Sequence, residues 1–259
     1  VVVGAGRMGG AVLTGALRAG VLERDAVGIW HSSELRAVEL AEKYGVHAVA
    51  ADGLKNAGKV LLAVKPQSFR EIAARVGRPD ACFISLMAGV SLQTLQALLG
   101  SRRVIRAMPN LGARVGLSST AIAASTDTPP ADLELARRLF TAIGTVWELP
   151  EELFDAFTGL AGSGPAFAAV VAEALADGGV RVGLNRAQSR ELAREVLLAT
   201  AMLLEGDTPA ALKDEVASPA GTAIAGVRAM EQHGLRFALM EAVEHAALRA
   251  AALNGKKEP

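Results

Sequence analysis

Cysteine occurs once in 259 residues, at Cys82. That excludes an intrachain disulfide and fits a reducing compartment, so a cytoplasmic location is expected. Cys82 lies in the apolar run Ala81-Cys82-Phe83-Ile84 and reads as a buried core residue. Aromatic residues make up only 4% of the chain, while alanine is abundant, which suits closely packed helices. The four histidines, His31, His47, His233 and His245, show no metal-ligand spacing, so no metal site is expected. Neither sign of charge is in excess: Lys plus Arg and Asp plus Glu are 27 each, which favours neither nucleic acid nor a membrane surface. The longest apolar stretch, 165–176, is too short to span a bilayer and contains Glu173, so no membrane partner is expected. No signal peptide, internal repeat or low-complexity linker is visible. The opening Val1-Val2-Val3 is short for a first strand, so a few upstream residues are expected to be missing.

What is present is a 51% apolar chain, long enough for two ordinary domains or one large one. The first half alternates. Strand-like runs at 1–3, 27–31, 59–64, 81–86 and 102–107 are separated by helical patterns such as Met8, Val12, Leu13, Ala16, Leu17. This predicts a parallel sheet with crossover helices. Further strand-like runs at 117–123 and 144–149 flank a helix near 130–142, and Pro150 marks a boundary. The second half reads as helices near 153–161, 165–182, 185–205, 208–216, 221–233 and 235–253, with Asn185 as an N-cap and a frayed tail over 254–259. The fold class is therefore α/β: a Rossmann-type parallel-sheet domain over 1–150, then an all-α domain over 151–259 whose apolar helices suit dimerisation.

Val1-Val2-Val3-Gly4-Ala5-Gly6-Arg7-Met8-Gly9 is strand, G-x-G-x-x-G, helix. Gly4 suits the tight turn, Gly6 the approach of a pyrophosphate, and Gly9 close packing of helix on strand. The second strand ends without the acid expected of an NAD enzyme. Ser32, Ser33 and Arg36 offer hydroxyls and a guanidinium that suit a 2′-phosphate, which favours NADP(H), with NAD(H) the alternative. Glu34 and Asp52 weigh against this, and Arg36 reads equally as a solvated helix residue. Later, Ser218-Pro219-Ala220-Gly221-Thr222-Ala223 reads as a helix start. Ser218 suits the N-cap and Pro219 the first helical position, with Ala220 at negative φ and the N–H groups of Ala220, Gly221 and Thr222 free for an anion. An ordinary capped helix without a ligand is the plain alternative.

This last segment resembles the Ser-Pro-Gly-Gly-Thr-Thr signature of the pyrroline-5-carboxylate reductases, with Ala220 for a usual Gly and Ala223 for a frequent Thr. Ala63-Val64-Lys65-Pro66-Gln67, Ser85-Leu86-Met87-Ala88-Gly89-Val90-Ser91, Arg106-Ala107-Met108-Pro109-Asn110 and Gly162-Ser163-Gly164-Pro165-Ala166-Phe167 are similar to other turns of that family, in order along the whole chain. The resemblance implies NAD(P)H-dependent reduction of 1-pyrroline-5-carboxylate to L-proline by a homodimer or larger assembly. It implies that the substrate carboxylate is held by Val216, Ser218, Pro219, Ala220, Gly221, Thr222 and Ala223. The cofactor is expected against Gly4, Ala5, Gly6, Arg7, Met8 and Gly9, the Ser32, Ser33, Arg36 tip, Ala63, Val64, Lys65, Pro66, Met87, Ala88, Gly89 and Asn110. Ser163 and Thr222 are the candidate orienting residues for the ring nitrogen, and no general acid is assigned. A β-hydroxyacid dehydrogenase is disfavoured because Ala168 stands where its catalytic Lys would be. A reductase of another cyclic imino acid and a non-catalytic NAD(P)-binding paralogue remain as alternatives.

Overall fold

The computed structural model describes residues 1–254; the remainder of the expected frayed tail, 255–259, lies outside the described residues. By internal contacts the chain divides into two units, Val1–Ser163 with the chain from Ala246 onward, and Gly164–His245.

The first unit is built on an eight-stranded sheet. Its elements are β1 (Val2–Val3), α1 (Arg7–Arg18), β2 (Gly28–Trp30), α2 (Glu34–Tyr44), β3 (His47–Ala48), β4 (Lys59–Leu62), α3 (Phe69–Val76), β5 (Cys82–Ser85), α4 (Leu92–Leu99), β6 (Val104–Met108), β7 (Ser118–Ala124), α5 (Pro130–Thr141) and β8 (Gly144–Glu148). The spatial order is β3-β2-β1-β4-β5-β6-β7-β8. The first six strands are parallel, as the alternating pattern predicts. Two features depart from that prediction. β7 runs antiparallel to β6, with β8 parallel to β7 beyond it. β3 is an additional edge strand of two exposed residues, which carry no apolar pattern to reveal it.

Side chains alternate between two cores because successive strand residues point to opposite faces. Val2, Leu61, Cys82, Ile84 and Ile105 join α1 and α5 on one face. Val3, Leu62, Phe83 and Val104 join α3 and α4 on the other. Burial on both faces is why these strands read as unbroken apolar runs.

The helical part consists of α6 (Phe154–Phe157), α7 (Gly164–Arg181), α8 (Arg186–Leu203), α9 (Pro209–Val216), α10 (Thr222–Gln232) and α11 (Leu235–Leu253). A π-helical turn, Thr158–Gly162, joins α6 to α7 where two separate helices are expected. The result is one helical run from Glu151 to Arg181, long and apolar enough by composition to cross a membrane, with 11% of the apolar window buried within the chain. The expectation that this stretch is too short is thereby corrected. In the second unit α7 packs against α8, yet only Ala176, Ser189 and Ala193 are buried. Val170, Val196, Met202, Phe237 and Met240 are exposed.

Cys82 is 1% exposed, and burial, with Asp132 beside it, pushes its thiol up to about 12. A pKa that high leaves almost no thiolate at pH 8. Native protein should therefore be silent to a thiol-specific chromogenic disulfide at that pH, and one thiol per chain should titrate after denaturation.

Candidate active site

Gly4 makes its turn at φ +86°, where an added Cβ would lie 2.8 Å from Val64 Cγ1 and 2.9 Å from the Ala63 carbonyl oxygen. Gly9 has no room either: its Cβ would meet Ala63 Cβ and the Gly4 carbonyl oxygen at 2.7 Å each. These contacts hold the start of α1 tightly over β1 and β4. Gly6 differs. It is the N-cap of α1, no side chain caps the helix, and a Cβ there would meet nothing within 4 Å. The first-turn N–H groups at Arg7, Met8 and Gly9 thus have no partner within the helix and no capping side chain, the arrangement a pyrophosphate requires. Ala5 is buried beneath them.

A cavity of about 460 Å³ extends from this turn along the carboxyl ends of β1, β2 and β4. Gly4, Ala5, Gly6, Trp30, His31, Ser32, Arg36, Ala63, Val64 and Lys65 line it. Ser33 is next to it but its hydroxyl oxygen caps α2, accepting from Arg36 N at 3.4 Å. Arg36 is exposed and its Nη1 lies 2.6 Å from Glu39 Oε2. Lys65 precedes a short 3₁₀ turn that Pro66 opens. A larger cavity, about 680 Å³, lies at the opposite, amino ends of the strands, among Val1, Val27, Gly58, Lys59 and Arg103. It holds no glycine turn, and open α/β sheets bind ligands at the carboxyl edge, so the smaller cavity is the candidate site.

The two other sheet turns are held by their own bonds. Met87 is 2% exposed and belongs to the core, so its side chain is not available to a ligand. Gly89 takes φ +73°. Asn110 accepts from Gly112 N at 3.0 Å and donates to the Ala161 carbonyl at 2.9 Å. Arg106, from the same motif as Asn110, is 4% exposed, bonds Glu151 Oε1 at 3.0 Å and stands 4.7 Å over the Phe154 ring. Sequence reading missed Glu151. The available signal was an arginine inside an otherwise apolar strand, which needs a carboxylate from elsewhere.

In the second unit the signature loop differs from the expected helix start. α10 begins at Thr222 with Gly221 as its N-cap and no capping side chain. Ser218 to Gly221 instead form a turn closed by Gly221 N donating to the Ser218 carbonyl at 3.0 Å. Ala220 has φ +56°, alone among the described non-glycine residues in being positive. Proline second and a left-handed residue third is the pattern of a type II turn, where Gly is preferred. The Gly221 N–H is thus engaged, and the open first-turn N–H groups are those of Thr222, Ala223 and Ile224. A Cβ on Gly221 would fall 2.4 Å from Ser218 Oγ and 3.0 Å from the Ser218 carbonyl oxygen, so a larger residue here would require Ser218 to shift. Val216 ends α9 and is exposed. Ser163 follows the π turn, its N–H donating to the Thr158 carbonyl at 2.9 Å.

An L residue in the left-handed region costs about 1–2 kcal/mol, part of which Gly returns as unfolded-chain entropy. Ala220→Gly should therefore stabilise the protein by about 0.5–1 kcal/mol, read as a thermal midpoint higher by roughly 1–3 °C. A lowered midpoint would show that Ala220 is not held at positive φ.

Comparison with known proteins places these loops in context. Residues 151–253 match the family model for pyrroline-5-carboxylate reductase dimerisation, and residues 1–89 match that for NADP oxidoreductase, coenzyme F420-dependent. The pyrroline-5-carboxylate reductase of Thermus thermophilus is 48% identical over 248 residues, 95% of each chain. The Coxiella burnetii enzyme of that name superposes with a TM-score of 0.88 at 29% identity, over 99% of this chain and 97% of its own. Plasmodium falciparum pyrroline carboxylate reductase, solved with NADP bound, shares the fold with a TM-score of 0.86 at 23% identity, over 98% and 97%. The N-terminal Rossmann-like sheet belongs to an NAD(P)-binding domain, residues 151–253 form a dimerisation region, and the chain belongs to the pyrroline-5-carboxylate reductase family.

Proposed function

We propose that this chain reduces 1-pyrroline-5-carboxylate to L-proline by hydride transfer to the imine carbon, with NADPH the favoured donor and NADH the alternative. The observation that carries this reading is the 48% identity to the Thermus thermophilus reductase over 95% of the chain; both loops lie within the segments matched by the family models. Bound NADPH supplies the hydride. The remaining demands on the protein are to position the ring and neutralise its carboxylate, and orientation alone supplies much of such a rate. The open N–H groups of Thr222, Ala223 and Ile224 receive the carboxylate, favoured by the positive end of α10. The Thr222 hydroxyl is the orienting group proposed for the nitrogen, whose protonation makes the imine carbon more electrophilic; Ser163 is the alternative orienting group. Ala223 supplies no hydroxyl, and Ala220 puts a methyl on the loop; both favour, as a second reading, a related cyclic imino acid.

For the cofactor, Arg36 is the group that selects NADPH. Its pair with Glu39 is exposed and worth about 0–1 kcal/mol, so a 2′-phosphate can displace it. The functional boundary is taken near Pro150, with 1–150 binding cofactor and the rest binding substrate and a second copy. The exposed apolar helices suit a homodimer, which can associate further. The single buried thiol supports a cytoplasmic location.

A steady-state assay with both cofactors tests the activity. Unsubstituted 1-pyrroline should lose more than about 2 kcal/mol in kcat/KM, roughly thirtyfold, because a charge-assisted contact is missing. Equal turnover of both rings would remove the carboxylate assignment. Arg36→Ala should weaken NADPH by about 1.5–3 kcal/mol and leave NADH nearly unchanged; equal losses for both would make Arg36 structural.

A further inference from the structure

The turn Met87-Ala88-Gly89 between β5 and α4 is anchored at both ends by side chains. At its start Ser85 Oγ accepts from Met87 N at 3.3 Å. At its end the N–H of Leu92, the first residue of α4, donates to Glu151 Oε1 at 2.7 Å. That N–H has no partner within its own helix, and a carboxylate at a helix N-terminus is favoured by the helix dipole. The same Glu151 oxygen accepts from Arg106 Nη1 at 3.0 Å. Arg106 cannot swing away, because it is buried and its guanidinium stacks on Phe154. Glu151 is 59 residues from Leu92 and 45 from Arg106, so a local turn cannot explain the arrangement. The backbone of Leu253 closes the turn from another side: a Cβ on Gly89 would stand 3.2 Å from the Leu253 carbonyl oxygen.

We propose that Glu151, held by Arg106, is a positioning residue for the dinucleotide: through Leu92 N it fixes the Met87–Gly89 turn at the cofactor edge of the sheet. The proposal rests on the assignment of that turn to the cofactor site. A fixed turn presents its backbone to the ligand without an ordering cost at binding. Losing the clamp should therefore appear in cofactor affinity more than in the chemical step.

The test is direct titration of NADPH fluorescence with the full-length chain, without substrate, beside steady-state kinetics and thermal melts. Glu151→Ala should raise the NADPH Kd about tenfold or more, as expected for a lost charge-assisted bond. The KM for pyrroline-5-carboxylate and kcat at saturating NADPH should each move less than about threefold. Glu151→Gln retains an oxygen for Leu92 N and should recover most of the affinity. If Glu151→Ala does not fold, Glu151→Asp, one methylene shorter, should show the same tenfold rise. A lowered melting temperature with an unchanged Kd would overturn the proposal, as would Glu151→Gln being as damaging as Glu151→Ala. Wild-type protein that binds no NADPH would overturn the cofactor assignment itself. Wild-type binding matched by Glu151→Ala would overturn only the clamp.

Discussion

Both faces of the central strands β1, β2, β4, β5 and β6 are covered by apolar side chains, and the position of the candidate cavity follows from that burial. Val2 and Val3 illustrate the geometry: adjacent residues enter different cores, each fully enclosed. Helices α1 and α5 cover one face, and α3 and α4 the other. A ligand is left with the ends of the strands. At the carboxyl edge the chain must turn from strand to helix, and small residues allow backbone to meet backbone. Gly4 and Gly9 are packed against Ala63, while Gly6 is left facing open space. Within this apolar scaffold Arg106 is an exception, and it is tolerated because Glu151 and Phe154 pair it.

The helices of the second unit pose the opposite problem. They have apolar residues in quantity and almost no interior of their own, since α9, α10 and α11 contain no buried residue. Exposed apolar surface on this scale marks an interface. The family match over 151–253 to a dimerisation domain supplies the partner, a second copy of the chain. The same match accounts for the apolar run Glu151–Arg181, whose composition alone does not distinguish a protein partner from lipid.

Two kinds of helix start contrast. Ser33, Ser91, Asn185 and Thr208 cap α2, α4, α8 and α9 with their own side chains. At α1 and α10 a glycine takes the cap position and no side chain intervenes. Each capping side chain takes up one first-turn donor of its helix, whereas the first turns of the two glycine-capped helices have no capping side chain. In the proposed function the first receives the pyrophosphate and the second the substrate carboxylate.

Local pattern was enough to determine the parallel α/β half, the helical half and the glycine turn, since unbroken apolar runs, helical spacing and G-x-G-x-x-G are all short-range features. The family signatures likewise lie in contiguous stretches. What depended on distant residues was not legible. The direction of β7 is decided by its pairing with β6, and β3 exists because it borders β2. The register of the Ser218–Gly221 turn places Ala220 at positive φ, although Ser-Pro by itself suits a helix cap equally well. Glu151 reaches Leu92 and Arg106 only after the sheet has formed and the chain has passed through β7, α5 and β8. A hydrogen bond across 59 residues leaves no periodic trace in a sequence, because its partners are brought together by the packing of everything between them.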